Sequence, residues 1–305
     1  MNHSLRLSTG LIAALFAAPI TSAYADDTRV IPFSPTQEEN AAERINFSGM
    51  LRMLSQRIPA AACHVDRGIE IATANALLEE ATTTFEQILA ALEFGDADLN
   101  INAAETRRKS LVRIHELRQK WDPFKAAADA VSAGTATEAD INYLLTENMA
   151  LLAAAQLLVE ELVKQYANPN AATQASLMMV DISDRQRTLT QQMSKDTCIV
   201  GSVYETPDTL TTLEDTATLF ETSLEALRFG MPAVGIGSPP TPEIEDGLET
   251  VLNDWTNVKP LITEVLDGGT LTTQEQTITF TSLNATMADM NAVVALYAGT
   301  ARPNS

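Results

Sequence analysis

Apolar residues recur every three or four positions along most of this chain, the spacing that puts them on one face of an α-helix. The clearest stripe lies in the predicted second helix and comprises Leu78, Ala81, Phe85, Ile88, Leu89 and Leu92. A later stripe contains Phe220, Leu224 and Leu227. No segment shows a convincing period-two alternation, the pattern of a half-buried strand. The pattern predicts an all-α protein.

Helix-breaking residues divide this pattern into eight predicted helices. They span residues 36–66, 69–94, 102–132, 137–167, 172–200, 207–229, 241–266 and 272–298. Thr36 and Glu39 form a capping box at the first start. Gly68, Gly95 and Gly134 stand where three of the patterns stop, as glycines after helices do. Short connections between helices favour antiparallel packing.

The chain contains a long internal duplication. Residues 45–57 return as residues 180–192, an offset of 135 that also relates Cys63 to Cys198. The sequence Asn168-Pro169-Asn170 breaks the chain between the copies. We therefore expect two tandem antiparallel four-helix bundles, at residues 36–167 and 172–298. Pro59 lies inside the first predicted helix and should kink it.

The first 25 residues have the features of a cleavable secretory signal. Arg6 is the positive residue, residues 11–20 are apolar, and Ala23-Tyr24-Ala25 ends in a cleavage site of the Ala-x-Ala kind. The apolar run is shorter than the roughly 20 residues that span a membrane. A buried N-terminal helix is the alternative. The signal predicts a soluble periplasmic protein without direct membrane insertion, cleaved after Ala25.

The net charge argues against two classes of partner. The formal net charge is −20, and cleavage after Ala25 removes Arg6 and no acidic residue, which makes it −21. Such a chain repels nucleic acid and anionic membrane surfaces. A solvated surface suited to solubility explains the acidity, and an acidic docking surface is the alternative.

Catalytic signals are poor. The three histidines, His3, His64 and His115, form no metal-ligand spacing, and neither a nucleophile elbow nor a phosphate loop occurs. We therefore predict no enzyme, no metal and no cofactor.

The first helix of each copy carries a polar triplet. Arg52, Ser55 and Gln56 stand at i, i+3 and i+4, hence on one helix face, and their copies are Arg187, Thr190 and Gln191. A guanidinium, a hydroxyl and an amide can together donate hydrogen bonds to a small oxyanion, and the arginine fork suits a planar one. The alternative is an arginine that lies over the bundle and pairs with a helix acid.

Each cysteine follows an arginine of this triplet at the same distance. Cys63 comes eleven residues after Arg52, and Cys198 eleven after Arg187. Eleven residues bring a helix back to within about 20° of the starting face and rise about 16 Å. If the first helices pack in parallel, the arginines face each other and so do the cysteines. One disulfide or two independently buried thiols would both fit.

Residues 49–57, Gly-Met-Leu-Arg-Met-Leu-Ser-Gln-Arg, resemble the signature of the type IV pili methyl-accepting chemotaxis transducer N-terminal domain, the PilJ-type domain. That domain is similar to the sensor domain of NarX-type nitrate/nitrite kinases. The resemblance implies a four-helix bundle and an anion site where first helices meet across a dimer. It implies that Arg52 contacts nitrate, with Gly49 beside it. A tandem repeat could build that pseudo-dimer within one chain.

The second copy departs from the signature. Asp184 replaces Gly49, Asp181 replaces Asn46 and Gln192 replaces Arg57, which lowers the local positive potential. Two functions remain open. One is a periplasmic sensing module for a small oxyanion, nitrate or nitrite first, acting through a membrane sensor kinase, chemoreceptor or transporter component. The other is a structural or interaction bundle that has lost the ligand.

Overall fold

In a computed structural model, which describes residues 40–166 and 172–300, the chain forms eight α-helices over the described residues. They are α1 (Ala41–Asp66), α2 (Ile71–Phe94), α3 (Arg108–Ser132), α4 (Glu138–Tyr166), α5 (Ala172–Ile199), α6 (Thr209–Phe229), α7 (Pro242–Leu266) and α8 (Thr273–Thr300). The predicted signal peptide, the Thr36 capping box and the Asn168-Pro169-Asn170 break lie outside the described residues.

The helices form two four-helix bundles, as predicted. In the first, α1 packs on α2 and α4, and α3 closes the ring between them; α5, α6, α7 and α8 repeat this arrangement. The two bundles meet along α1 and α5. These two helices run in parallel, because an early contact, Arg52 with Asp184, and a late one, Cys63 with Cys198, pair equivalent stretches of both.

The first helix of each bundle lies at the centre of the molecule. From residue 43 to 65 no residue of α1 is exposed, and along α5 from residue 179 to 199 only Arg185 is. The apolar cores of the bundles share residues across this boundary. Ile45 of α1 packs in the second core, and Ile199 of α5 packs in the first. The packed pair of α1 and α5, which we call the α1–α5 joint, is therefore an interior region shared by both repeats.

The duplication preserves specific contacts as well as topology. Trp121 Nε1 donates to Glu86 at 2.6 Å in the first bundle, and Trp255 Nε1 donates to Glu221 at 2.8 Å in the second. Each contact ties two neighbouring helices together on the side away from the α1–α5 joint.

Capping boxes start the last helix of each bundle. The side chain of Asp140 accepts from Thr137 N, and that of Glu275 accepts from Thr272 N. Each threonine hydroxyl in turn accepts from the backbone N–H of its acidic partner. Both boxes satisfy N–H groups that a helix start leaves unpaired.

The prediction that α3 begins at residue 102 is wrong, since it begins at Arg108. Residues 96–101 instead form a short turn closed by an isolated bridge between Asp96 and Ile101. The Glu105 carboxylate then accepts from the N–H of Arg107, and the Tyr166 hydroxyl donates to it. These contacts hold the segment against the bundle end in a non-helical path.

Other expectations concern single residues. Gly68, Gly95 and Gly134 have positive φ values next to helix ends, and α1 continues through Pro59 as one helix. Within the two described ranges, no helix is both long enough and apolar enough to cross a membrane.

Candidate functional site

The two copied arginines meet at the α1–α5 joint. Arg52 is 2% exposed and Arg187 is 1% exposed, so both guanidinium groups lie in the interior. Parallel packing brings them together because each stands at the same position of its helix. The two arginines face each other, as expected for parallel first helices. A side chain of the protein lies between them.

Asp184 lies between the two guanidinium groups. Arg52 Nε donates to Asp184 Oδ2 at 3.1 Å, and Arg52 Nη2 donates to the same oxygen. Arg187 Nη2, one helical turn after Asp184 in α5, donates to Oδ1. One carboxylate therefore accepts from an arginine of each repeat, and it is itself 1% exposed.

Gly49 provides the room for this carboxylate. A Cβ atom built on Gly49 would lie 2.4 Å from Asp184 Oδ2, closer than real Cβ contacts come. Gly49 and Asp184 are equivalent positions of the two repeats, so the carboxylate of one copy fills the space left by the other. We call the region bounded by Arg52, Arg187 and Gly49 the two-arginine site.

Each arginine has a second, duplicated partner that sequence reasoning missed. Arg52 Nη1 donates to Gln156 Oε1 at 2.7 Å, and Arg187 Nη1 donates to Asn291 Oδ1. Both acceptors are carboxamides on the last helix of their repeat. The signal was present in the sequence, because Gln156 and Asn291 are related by the same offset that relates the arginines.

The other members of the polar triplets do not reach the carboxylate. The Ser55 hydroxyl donates to the Arg52 carbonyl at 2.7 Å, and the Thr190 hydroxyl donates to the Arg187 carbonyl at 2.8 Å. Gln56 Nε2 points to the Asn148 carbonyl. These side chains follow a common habit of helical residues, which is to bond their own or a neighbouring backbone.

Likewise, Gln191 Nε2 donates to Asn284 Oδ1 at 3.4 Å, away from the two-arginine site. The structure thus brings together Arg52, Arg187 and Gly49 of the predicted ligand set, with Asp184 added. The serine, the threonine and the glutamines line the interior beside them.

The electrostatics of the site are set by burial. Burial lowers the pKa of Arg187 to about 9, and the nearby charge of Arg52 contributes to the shift. Burial also lowers the pKa of Arg52, while the carboxylates of Asp181 and Glu160 oppose that change. Asp181 Oδ1 lies 2.7 Å from Arg52 Nη2 at the partly exposed edge of the site. An anion between the guanidinium groups counters both the desolvation and their mutual repulsion.

A second connection between α1 and α5 lies further along the same helices. Cys63 and Cys198 form a disulfide between α1 and α5, with their Cα atoms 6.2 Å apart. Arg67 Nη1 donates to the carbonyls of Cys198 and Val200 beyond it. His64, next to Cys63, is 3% exposed and stacks on Phe280 of α8 with ring centroids 4.1 Å apart. The two-arginine site and the disulfide thus hold α1 against α5 at two positions along the helices.

Comparison with known proteins gives a consistent result for both repeats. Residues 34–146 and residues 170–281 each match the family model described as PilJ, type IV pili methyl-accepting chemotaxis transducer N-term. The two matches together cover more than half of the chain. Each includes the first three helices of its bundle and ends within the fourth. Among curated proteins, none matches this sequence.

Proposed function

This chain belongs to the PilJ family of type IV pili methyl-accepting chemotaxis transducer N-terminal domains, and from that membership we propose that it is a periplasmic sensing module that signals through a partner. The partner would be a component of a chemoreceptor-type system, such as a membrane chemoreceptor, a sensor kinase or a transporter. The role needs no catalytic residue and no cofactor.

We further propose that the two-arginine site recognises a small planar oxyanion, with nitrate or nitrite first. One observation carries this proposal: two buried guanidinium groups, one from each repeat, converge on a single carboxylate. Nitrate, nitrite and carboxylate are all planar monoanions that offer two oxygens in one plane, the geometry that the arginine fork matches. The site therefore has the donors for such an anion.

Thermal melting of the mature protein with nitrate, nitrite or chloride tests this proposal. We expect the planar anions to raise the melting temperature in a saturable manner and spherical chloride to give a smaller shift at equal ionic strength. Arg52→Ala should abolish the shift and Arg187→Ala should weaken it. Arg52→Lys, which keeps the charge but lacks the fork, should restore it only in part.

A second candidate function is an interaction bundle that no longer binds a ligand. The position of Asp184 favours it, because this side chain uses donors that an oxyanion would need. If nitrate and nitrite change the melting temperature neither in the wild type nor in Asp184→Gly, the oxyanion proposal fails and this second function replaces it.

A further inference from the structure

We infer that Asp184 is a tethered anion that occupies the two-arginine site in the native protein, so that a free oxyanion has to displace it. This inference rests on the oxyanion site proposed above and adds its regulation. Asp184 would set the concentration at which the module responds, because every free ligand competes with a carboxylate that is already in place.

The hydrogen bonds show which donors are taken. Three N–H groups, Nε and Nη2 of Arg52 and Nη2 of Arg187, point to the two oxygens of Asp184. The remaining terminal nitrogens, Nη1 of each arginine, donate to Gln156 and Asn291. A free planar anion could therefore bind the N–H groups of both arginines at once only after the Asp184 carboxylate moves away.

The space leads to the same conclusion. Asp184 Oδ2 lies where even one additional carbon atom on Gly49 would clash, at 2.4 Å. The Asp184 carboxylate therefore fills the space beside Gly49. A glycine in the first repeat and an aspartate in the second are complementary in shape.

The charges that touch the guanidinium groups already balance. The two buried arginines carry two positive charges. Asp184 supplies one negative charge, and Asp181, which also pairs with the exposed Arg185, supplies a second. A free monoanion added to this set would bring an uncompensated charge into a buried place, which is strongly unfavourable. Removal of Asp184 instead leaves one net positive charge, which one monoanion neutralises.

Tethering gives Asp184 an advantage over a free ligand. It is already held on α5, whereas a free anion loses its translational freedom on binding. The apparent dissociation constant of a ligand rises as the fraction of molecules with a vacated site falls. We therefore expect the wild type to bind formate or nitrate at least about 100-fold more weakly than a variant without the carboxylate.

The probe is sodium formate, which reproduces the carboxylate of the missing side chain, and it is titrated into the full mature chain. Asp184→Gly vacates the site and restores the residue of the first repeat. At a formate concentration 100 times the dissociation constant, its melting temperature should rise by about 5 °C. Asp184→Ala is measured in parallel, in case Asp184→Gly does not fold.

Two variants serve as matched controls. Asp184→Asn keeps the volume but removes the competing charge, so its formate response should lie between those of the wild type and Asp184→Gly. Asp181→Asn removes a neighbouring carboxylate at the edge without vacating the site, and it should give no shift. Adding Arg52→Ala to Asp184→Gly should abolish the response of the single variant.

The outcomes separate this inference from the proposed function. A formate and nitrate response in Asp184→Gly that the wild type lacks or shows only at much higher concentration supports the tethered anion. Equal nitrate affinity in the wild type and Asp184→Gly overturns it but leaves the oxyanion function standing. No response to either anion in both Asp184→Gly and Asp184→Ala overturns it too, together with the oxyanion site.

Discussion

Individual charged residues in the interior depend on one another for their stability. Arg52, Asp184 and Arg187 are each nearly inaccessible to solvent, yet every one has an opposite charge in contact. Such an arrangement contributes less than its contact distances suggest, because all three groups lose their hydration. Loss of one member is costly, however, because it removes part of the compensation of the buried charges that remain.

Arg187→Ala should therefore destabilise the protein strongly. We expect the free energy of unfolding, measured by urea denaturation, to fall by about 3 kcal/mol or more. Arg185→Ala is the matched control, since Arg185 lies two residues earlier on α5, is exposed, and pairs with Asp181 at the surface. Its effect should stay within about 0.5 kcal/mol. Similar losses for both variants would contradict the argument.

His64 should make part of the stability dependent on pH. Burial lowers the pKa of His64 to about 4, the bond to the Ala60 carbonyl opposes the shift, and the charge of Arg67 adds to it. Below pH 6.5 the unfolded chain takes up a proton on this ring, while the folded protein does so only near pH 4. The free energy of unfolding should thus fall across this range as the pH falls, by an amount on the order of 3 kcal/mol.

The measurement is urea unfolding at several pH values between 4 and 7. His64→Phe should flatten the pH dependence relative to the wild type, whatever its effect on absolute stability. His115→Gln, a change at an exposed histidine of α3, should leave the wild-type slope in place. Parallel curves for the wild type and His64→Phe would exclude His64 as the source.

At the scale of helices, the sequence predicts what depends on local pattern and misses what depends on distant contacts. The apolar stripes and the glycines located the helices because both act within a few residues. The predicted start of α3 is wrong because the Glu105 carboxylate accepts a hydrogen bond from Tyr166, a residue of another helix. No local pattern reports such a contact.

The candidate site shows the same division. The duplicated motif located Arg52 and Arg187, since each repeat carries its own copy. The roles of Ser55 and Thr190 could not be derived from their shared face, because each hydroxyl prefers a carbonyl of its own helix. The contact of Asp184 with both arginines required the parallel arrangement of α1 and α5, which the sequence only suggests.

The capping boxes of α4 and α8 should stabilise the bundles to a similar extent. Thr137→Ala and Thr272→Ala each remove the hydroxyl that accepts from a backbone N–H at the helix start. Each should lower the free energy of unfolding by about 1 kcal/mol. Thr146→Ala, an exposed change within α4, should have no such cost, since alanine favours helix interiors. Equal effects at all three positions would contradict a capping role.

At the scale of the whole molecule, the Cys63–Cys198 disulfide links the two bundles across 135 residues of sequence. In the chain-entropy model a loop of this length contributes up to about 5 kcal/mol. Reductant should lower the midpoint of urea unfolding of the wild type and leave that of Cys63→Ala/Cys198→Ala unchanged. Thiol labelling of denatured, unreduced protein should find no free thiol, and two per chain would contradict the bridge.

The pseudo-symmetry of the repeats predicts that either repeat can supply the carboxylate that lies between the two arginines. The exchange variant Gly49→Asp/Asp184→Gly places the acid three residues before Arg52, as Asp184 stands three before Arg187. Its melting temperature should recover most of what Asp184→Gly loses. Gly49→Asp alone should melt lower than the wild type, because two carboxylates would then compete for one place. The reverse order of stability would show that the two sides are not equivalent.

Fusion of the two repeats also changes which sites can arise by mutation. In a dimer of identical subunits, each substitution near the two-fold axis appears twice. There, an aspartate at the position of Gly49 would bring two like charges together, and a glycine would leave two arginines without an internal counter-ion. A tandem chain can change one copy at a time. The Gly49–Asp184 pair is therefore an arrangement open to a single polypeptide and closed to a symmetric homodimer.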